Sequence, residues 1–334
     1  MNLERVKAII QTASGKRILV IGDLMLDEFV WGRVSRISPE APVPVVEVLR
    51  ESYYPGGAAN VARNVREFAS SAMVMGVVGE DPHAQRLKKI LAESRISLDA
   101  LQCDPSYQTI VKTRIIARQQ QVVRVDRERP QPLSFELRQR AVATVEKLLP
   151  TIDAIIFEDY GKGFLEQDLV DEISAAARVA GKILTADPNP RNPLIWRGMS
   201  VVKPNRGEAF AAANQPWQEP EADPLKDRAL LEVGSKLLEK WAPHQLLITL
   251  GELGMILFDR NSAPFHIPSL AREVYDLSGA GDTAIALFTL ALTSGATPIE
   301  AAEISNHASS VVVAKLGTAT LTPIELIQSF DVNR

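Results

Sequence analysis

The chain has 334 residues, 46% of them hydrophobic and 23% charged, with a formal net charge of −4. That length accommodates one large α/β domain or two domains. Basic residues do not dominate, which excludes a general nucleic-acid or membrane binder. A single cysteine, Cys103, excludes an internal disulfide framework, and with only four histidines a catalytic metal cage is not expected. The longest apolar run, residues 284–292, falls far short of the ~20 residues that span a bilayer. Residues 1–17 are mixed-charge and amphipathic without a signal-peptide core, so a cytoplasmic location is expected.

Residues 17–22 (Arg-Ile-Leu-Val-Ile-Gly) form an apolar run closed by Asp23, the pattern of a buried central strand. Asp23 and Asp27 then follow the carboxyl end of that strand, the edge where open α/β sheets bind ligands. They read either as acids that hold sugar hydroxyls or as solvated loop residues. From residue 29 to 49, Val43, Val45, Val46 and Val48 alternate loosely with Pro and Glu. Prolines at 39, 42 and 44 confine that segment to an edge strand or an extended arm. Residues 109–127 are rich in β-branched residues broken by Gln119-Gln120-Gln121, like a hairpin. Two such excursions, over about 29–50 and 109–127, predict a small projecting sheet that acts as a lid, a dimer contact or both.

Pro55-Gly56-Gly57-Ala58-Ala59-Asn60 leads into a helix with Val61, Val65 and Phe68 on one face. Paired glycines permit close backbone approach and expose N–H donors, and the Asn60 amide can bond a hydroxyl as donor or acceptor. Strands are expected at 73–78, 154–157, 182–186, 201–202 and 246–249, with helices at 82–94, 134–149 and 165–180. This alternation predicts a mostly parallel sheet covered on both faces. Residues 214–227 read as a loop or an irregular helix start. Thr297-Pro298-Ile299-Glu300 and Thr322-Pro323-Ile324-Glu325 are capping boxes with Pro at the first helical position. The helix at 299–315 carries Ala302, Ser305, Ala308, Ser309 and Val312, so either a neighbouring helix or a flat ligand packs closely on it.

The best-punctuated stretch is Val274-Tyr275-Asp276-Leu277-Ser278-Gly279-Ala280-Gly281-Asp282-Thr283, followed by an apolar helical pattern. A glycine-rich turn entering a helix leaves backbone N–H groups uncovered, which makes an anion site. Asp282 in the first turn is placed to take a proton from a hydroxyl. On those residues alone, an ordinary strand–helix connection remains the alternative.

The string Asp276-Leu277-Ser278-Gly279-Ala280-Gly281-Asp282-Thr283 resembles the C-terminal signature of the ribokinase-like (PfkB) carbohydrate kinases, and Gly56-Gly57-Ala58-Ala59-Asn60-Val61-Ala62 their N-terminal glycine region. Within that family, Ser35-Arg36-Ile37-Ser38-Pro39-Glu40-Ala41-Pro42-Val43-Pro44-Val45-Val46 is similar to the D-glycero-β-D-manno-heptose 7-phosphate kinases. Glu273-Val274-Tyr275-Asp276 and Val313-Ala314-Lys315-Leu316-Gly317-Thr318 are similar too. The resemblance runs from about residue 18 to about 326. It implies a three-layer α/β/α ribokinase-like fold, with residues 1–334 as one kinase domain carrying a β lid.

It further implies Asp282 as the base, with Gly279, Ala280 and Gly281 as the anion hole. Asn205-Arg206-Gly207-Glu208 matches an Asn-x-x-Glu motif near the nucleotide phosphates, with Glu208 placing Mg²⁺ through water. Thr249 and Gly251 match the strand end that contacts ATP, and Asn306 the adenine side. Asp23, Asp27, Gly56, Gly57 and Asn60 match sugar-binding positions. For a sugar phosphate, the available cations are Arg36, Lys112, Arg114 and Arg124. Asp276 with the backbone near Gly317 matches a monovalent-cation site, K⁺ in parts of the family. A homodimer through the lid is expected, because a lone lid would expose an apolar valine edge.

Two departures stand out. Asp187-Pro188-Asn189 replaces the Asp-Pro-Lys of the heptose kinases, which removes one phosphate contact. Bifunctional relatives continue into a nucleotidylyltransferase domain, so with this chain ending at Arg334 a separate protein is expected to carry out adenylyl transfer. The alternatives are a kinase of another sugar or sugar phosphate, and a non-catalytic sensor, which would be expected to lose Asp282 or the glycines.

Overall fold

The computed structural model describes residues 1–118, 120–271, 274–315 and 317–331. Gln119, Glu273 and Leu316, each part of a string read above, lie outside the described residues. Helix α1 (Leu3–Ala13) leads into β1 (Arg17–Gly22), buried from Ile18 onward. Two long strands follow, β2 (Leu24–Ile37) and β3 (Pro44–Gly57), then α2 (Ala58–Arg66) and β4 (Ser71–Met75). The short strands β5 (Val77–Val78) and β6 (Gln102–Cys103) flank α3 (Pro82–Glu93). Next come β7 (Ile110–Ala117), β8 (Gln120–Arg127), α4 (Phe135–Leu148), β9 (Ala154–Glu158) and α5 (Gln167–Val179). They are followed by β10 (Ile183–Asp187), β11 (Val201–Val202), α6 (Arg206–Ala212), α7 (Arg228–Trp241) and β12 (Gln245–Thr249). The hairpin β13 (Met255–Asp259) and β14 (Ser262–Ile267) precedes α8 (Ala280–Thr293), α9 (Pro298–Val313) and α10 (Pro323–Asp331).

The main sheet has eight strands in the order β14-β13-β12-β11-β10-β9-β1-β4. It is parallel from β4 to β12 and antiparallel only at the β13–β14 edge. Its strands read as continuous apolar runs because helices cover both faces. In β1, Ile18 and Val20 pack with residues of α2, α8 and α9. Leu19 and Ile21 pack on the other side with residues of α4, α5 and α7. The period of two along one strand thus builds both halves of an α/β/α sandwich. Among the described residues no helix is long and apolar enough to cross a membrane.

The segments read as β excursions lie in a second, four-stranded sheet, ordered β3-β2-β7-β8. Pro44 opens the edge strand β3, where a missing N–H is tolerated. This sheet begins at Leu24 rather than near residue 29, since Asp23 alone separates β1 from β2. Asp27 therefore belongs to the second sheet and not to a loop after β1. The strand expected over 73–78 is also broken. A side chain at Gly76 would press on the Gly22 carbonyl and on Leu24, so the chain leaves the main sheet there and Val77–Val78 pairs with Gln102–Cys103. The antiparallel β13–β14 hairpin carries no two-residue turn signal and was not legible in the sequence.

Candidate active site

The carboxyl ends of the parallel strands converge on one edge of the main sheet. Gly22 and Asp187 are both in register with Glu158, so β1, β9 and β10 finish side by side. Over that edge lies a cleft of about 590 Å³ lined by Glu158, Asp187, Lys203, Glu208, Gly281 and Asp282 among others. A second, more apolar cavity of about 520 Å³ is bordered by Met255, Ala284, Asn306 and Ser309. The two meet at Thr249, Gly251, Leu277 and Gly281.

Helix α8 starts at this junction. Gly279 is its N-cap with φ 83°, a left-handed conformation that glycine adopts without strain. The helical bonding begins with Thr283 N–H donating to the Gly279 carbonyl at 2.9 Å, and Ala280 N–H turns back onto Leu277 O at 3.3 Å. Of the three residues read as an anion hole, Ala280 thus has its amide engaged, and the Gly281 and Asp282 amides are the ones left at the helix start. Asp282 is buried, and both its oxygens accept hydrogen bonds, from Asn60 Nδ2 at 2.7 Å and from Tyr160 Oη at 2.9 Å. Burial raises the pKa of Asp282; the two hydrogen bonds and the charge of Lys203 oppose the rise. Burial and the nearby Asp282 raise the Tyr160 phenol well above its usual value, so it stays a donor. Asn60 Oδ1 is buried and without a partner, an acceptor available to an incoming hydroxyl.

Asp23, expected at a sugar-binding position, has partners of its own in the fold. It is buried and accepts the backbone N–H groups of Tyr160 (3.0 Å), Lys162 (3.0 Å) and Phe164 (3.2 Å). Its carboxylate is committed to folding the loop after β9. Asp27 pairs with Arg114 Nη1, and a side chain at Gly56 would collide with its carboxylate. Gly57, at φ 59°, passes equally close over the Asp23 carbonyl. The glycine pair is therefore required by the two acids beneath it.

None of the four cations proposed for a phosphate stands free in the site. Arg114 is bound to Asp27 and lies 5.1 Å from the Phe29 ring centroid. Lys112 pairs with Asp126 and Glu128, each at 3.3 Å, and Arg124, half exposed, pairs with Asp126 at 2.8 Å. Arg36 lies near the far end of β2, nine residues past Asp27 and roughly 30 Å away at the rise of a strand. It does not converge on the site of its own chain.

Asn205-Arg206-Gly207-Glu208 forms a reciprocal capping box at the start of α6. Asn205 Oδ1 accepts Glu208 N–H at 2.9 Å, and Glu208 Oε2 accepts Asn205 N–H at 2.7 Å. The Asn-x-x-Glu spelling is that of a helix cap, a signal available in the sequence. Glu208 Oε1 remains outside the cap. Arg206 borders the cleft, but its guanidinium is buried against Asp227 at 2.8 Å and donates to Gln218 O at 3.0 Å, securing the 214–227 loop. Asn306 lines the apolar cavity while donating to Pro268 O at 2.8 Å. On α9, Ser305 packs onto α8 through Ala284 O, the helix–helix alternative, whereas Asn306 and Ser309 line the apolar cavity. Asp276 accepts the N–H groups of Ser278 (2.9 Å) and Gly317 (3.1 Å), joining the two loops expected to meet there.

The cleft is strongly acidic. Burial raises the pKa of Glu158, with Asp187 and Asp282 adding to the effect. Burial likewise raises Asp187, against the buried Lys203, whose Nζ sits 2.7 Å from Asp187 Oδ2. Asp159 is pushed up to about 7 by burial.

Residues 16–325 match the pfkB family of carbohydrate kinases. The chain belongs to that family. The kinase is 39% identical over 329 residues to the bifunctional protein HldE of Pelobacter propionicus, covering 98% of this chain and 66% of that protein. It is 38% identical over 332 residues to the HldE of Trichlorobacter lovleyi, again covering 66% of the relative. The chain thus spans about two thirds of the curated relatives it matches. Among solved structures, an Arabidopsis thaliana ribokinase complexed with ribose and ATP superposes with a TM-score of 0.72 at 17% identity, covering 95% of this chain and 99% of that one. Escherichia coli phosphofructokinase-2 in complex with potassium gives 0.74 at 16%, covering 96% and 100%. These likenesses establish the ribokinase-like fold.

Tyr160, Lys162 and Lys203 were missed in the sequence. The acidic, glycine-flanked string Glu158-Asp159-Tyr160-Gly161-Lys162-Gly163 directly follows a buried strand, the position where such folds place ligand contacts. Tyr160→Phe removes one of the two donors to Asp282, so the carboxylate holds its proton to higher pH. The expected result is an acid limb of the pH–rate profile displaced upward, with a rate at low pH reduced by about tenfold for one lost charge-assisted hydrogen bond. ADP release measured across pH for wild type and variant checks it; superimposable profiles refute the role.

Proposed function

We propose that this kinase transfers the γ-phosphoryl group of ATP to the anomeric 1-hydroxyl of D-glycero-β-D-manno-heptose 7-phosphate, giving the 1,7-bisphosphate in the cytoplasm. The observation that carries the reaction is Asp282, a buried carboxylate held by two donors at the start of α8, where the two cavities meet. The acceptor is supported by the Ser35–Val46 string and by the HldE relatives.

In this reading the adenosine occupies the apolar cavity beside Asn306 and Ser309, and the phosphates extend past Thr249 and Gly251 into the cleft. The sugar lies beneath the small sheet as its lid, near Asp27 and Asn60. The 1-hydroxyl gives its proton to Asp282 as its oxygen bonds to phosphorus and the bond to ADP breaks. The amides at the start of α8 and the Lys203 ammonium balance the charge on the phosphoryl oxygens. The carboxylates of Glu158, Asp187, Glu208 and Asp282 in the cleft suit a hard cation such as Mg²⁺, which Glu208 Oε1 would hold. The contact is read as running through water, as the resemblance of Asn205-Arg206-Gly207-Glu208 to the Asn-x-x-Glu motif implies. The ion supplies neutralisation of the β- and γ-phosphates.

ADP release with heptose 7-phosphate, fructose 6-phosphate and ribose as acceptors tests the assignment. Asp282→Asn is expected to lower the rate by ~10²–10⁴-fold, the usual worth of a general base. A near-wild-type rate in that variant overturns the base; turnover of another acceptor with none of heptose 7-phosphate overturns the substrate.

Asp276 and Gly317 frame a monovalent-cation site that would steady the loop before α8. Activity in potassium chloride is then expected to exceed that in choline chloride at equal ionic strength, and equal rates exclude it.

Two copies associate through the small sheet, which exposes Ile37, Val43, Val48 and Leu49 on one arm. Light scattering is expected to give twice the chain mass for wild type and the monomer mass for Val48→Asp. A monomeric wild type at micromolar concentration removes the proposal.

A further inference from the structure

Between the small sheet and the loop after β9, two lysines share one carboxylate. Lys162 Nζ donates to Glu128 Oε1 at 2.8 Å, and Lys112 Nζ donates to Glu128 Oε2 at 3.3 Å. The lysine side chains are only 11% and 13% exposed, and that of Glu128 24%. Lys112 also pairs with Asp126 at 3.3 Å, and Asp126 is held by Arg124 as well, so Glu128 is the carboxylate the two sequestered ammonium groups share and the one whose departure would leave both as donors to a phosphate.

Position connects the group to the acceptor. Lys112 is in register with Asp27 across β2 and β7, so it stands beside the proposed sugar contact. Lys162 is two residues from Tyr160, whose hydroxyl reaches Asp282, and the N–H groups of both residues are fixed by Asp23. One short loop thus carries a contact to the base at one end and an ammonium at the other, at most about 7 Å of chain apart before the side chains extend. Glu128 follows the end of β8, outside the ladder that holds Asp126 to Lys112, so its side chain can swing without breaking a strand. Burial works against its charge, but the Lys162 hydrogen bond and the Lys112 charge keep Glu128 below the usual glutamate range.

We propose that Lys112 and Lys162 are the clamp for the phosphate monoester of the acceptor, and that Glu128 holds the clamp in its absence and is displaced by the phosphate. The clamp rests on the sugar-phosphate reading above and sharpens it. Specificity for a phosphorylated sugar comes from an exchange of carboxylate for phosphate. The exposed Arg36 and Arg124 are not needed for it.

The test is calorimetric binding of D-glycero-D-manno-heptose 7-phosphate and of the unphosphorylated heptose to wild type, Lys112→Met, Lys162→Met and Glu128→Gln. Unchanged ATP affinity shows that each variant is folded. The ratio of the two sugar affinities is expected to fall about tenfold or more in each lysine variant, as for loss of a hydrogen bond to a charged group. In Glu128→Gln, which removes the competing charge, the ratio is expected to rise. A ratio unchanged in both lysine variants, or lowered in Glu128→Gln, overturns the clamp. Inorganic phosphate provides a probe that does not depend on the acceptor. Inhibition competitive with the sugar, and relieved in Lys162→Met, upholds the clamp even if heptose 7-phosphate is not turned over. Inhibition insensitive to both lysines overturns the clamp while turnover of heptose 7-phosphate still stands.

Discussion

One buried carboxylate, Asp23, organises the catalytic edge. Its N–H donates to Glu158 O at the end of β9, and its carbonyl accepts Ala58 N–H at the start of α2. Its side chain collects three N–H groups from the loop 160–164. An unpaired charge at that depth would be costly, and burial does raise its pKa; the three donors offset the penalty. The result is a junction of three segments. α2 carries Asn60 and the loop carries Tyr160, and these are the two donors that fix Asp282 from opposite sides. Gly57 has to be a glycine because α2 starts directly over the Asp23 carbonyl.

The same edge concentrates negative charge. Burial raises Glu158, Asp187 and Asp282 alike; Asp187 and Asp282 add to the rise of Glu158, Asp282 adds to that of Asp187, and the Lys203 charge opposes all three. Such a set titrates as a unit. Such a cleft repels a bare polyphosphate, and a polyphosphate accompanied by cations would meet less of that repulsion. The amide ends of α8 add positive potential at the point where the cleft and the apolar cavity join.

How much of this was legible in the sequence depends on distance along the chain. The turn before Asp282 was readable because its glycines, its acid and its helix are contiguous. The sheet was readable because β1, β9, β10 and β12 are apolar runs separated by helical patterns. The backbone donors to Asp23 were not legible, since they lie 137 to 141 residues away and carry no side-chain signal. Arg206 borders the cleft with its motif neighbours, but its charge is answered by Asp227 beyond a loop, a pairing that the motif does not reveal. Tyr160 escaped because a phenol carries no motif of its own, and its meaning comes only from Asp282, 122 residues later. Gly76 could not be recognised as a strand break until Leu24 was placed against it.

The small sheet shows how pairing conceals function. Arg114, Lys112 and Arg124 were singled out for their charge, and each is already neutralised, by Asp27, Glu128 or Asp126. Half-buried cations have to be neutralised in this way, because a cleft lined with bare ammonium groups would pay a large desolvation cost. A site for an anionic ligand therefore contains its own counterions before the ligand arrives. The informative property is then the geometry of each pair and the freedom of its acid to leave. Asp126 is fastened within the β7–β8 ladder and by Arg124, and Asp27 is enclosed by Gly56 and Arg114. Glu128, outside the ladder and shared by two lysines, is the acid whose place a dianion would most favourably take.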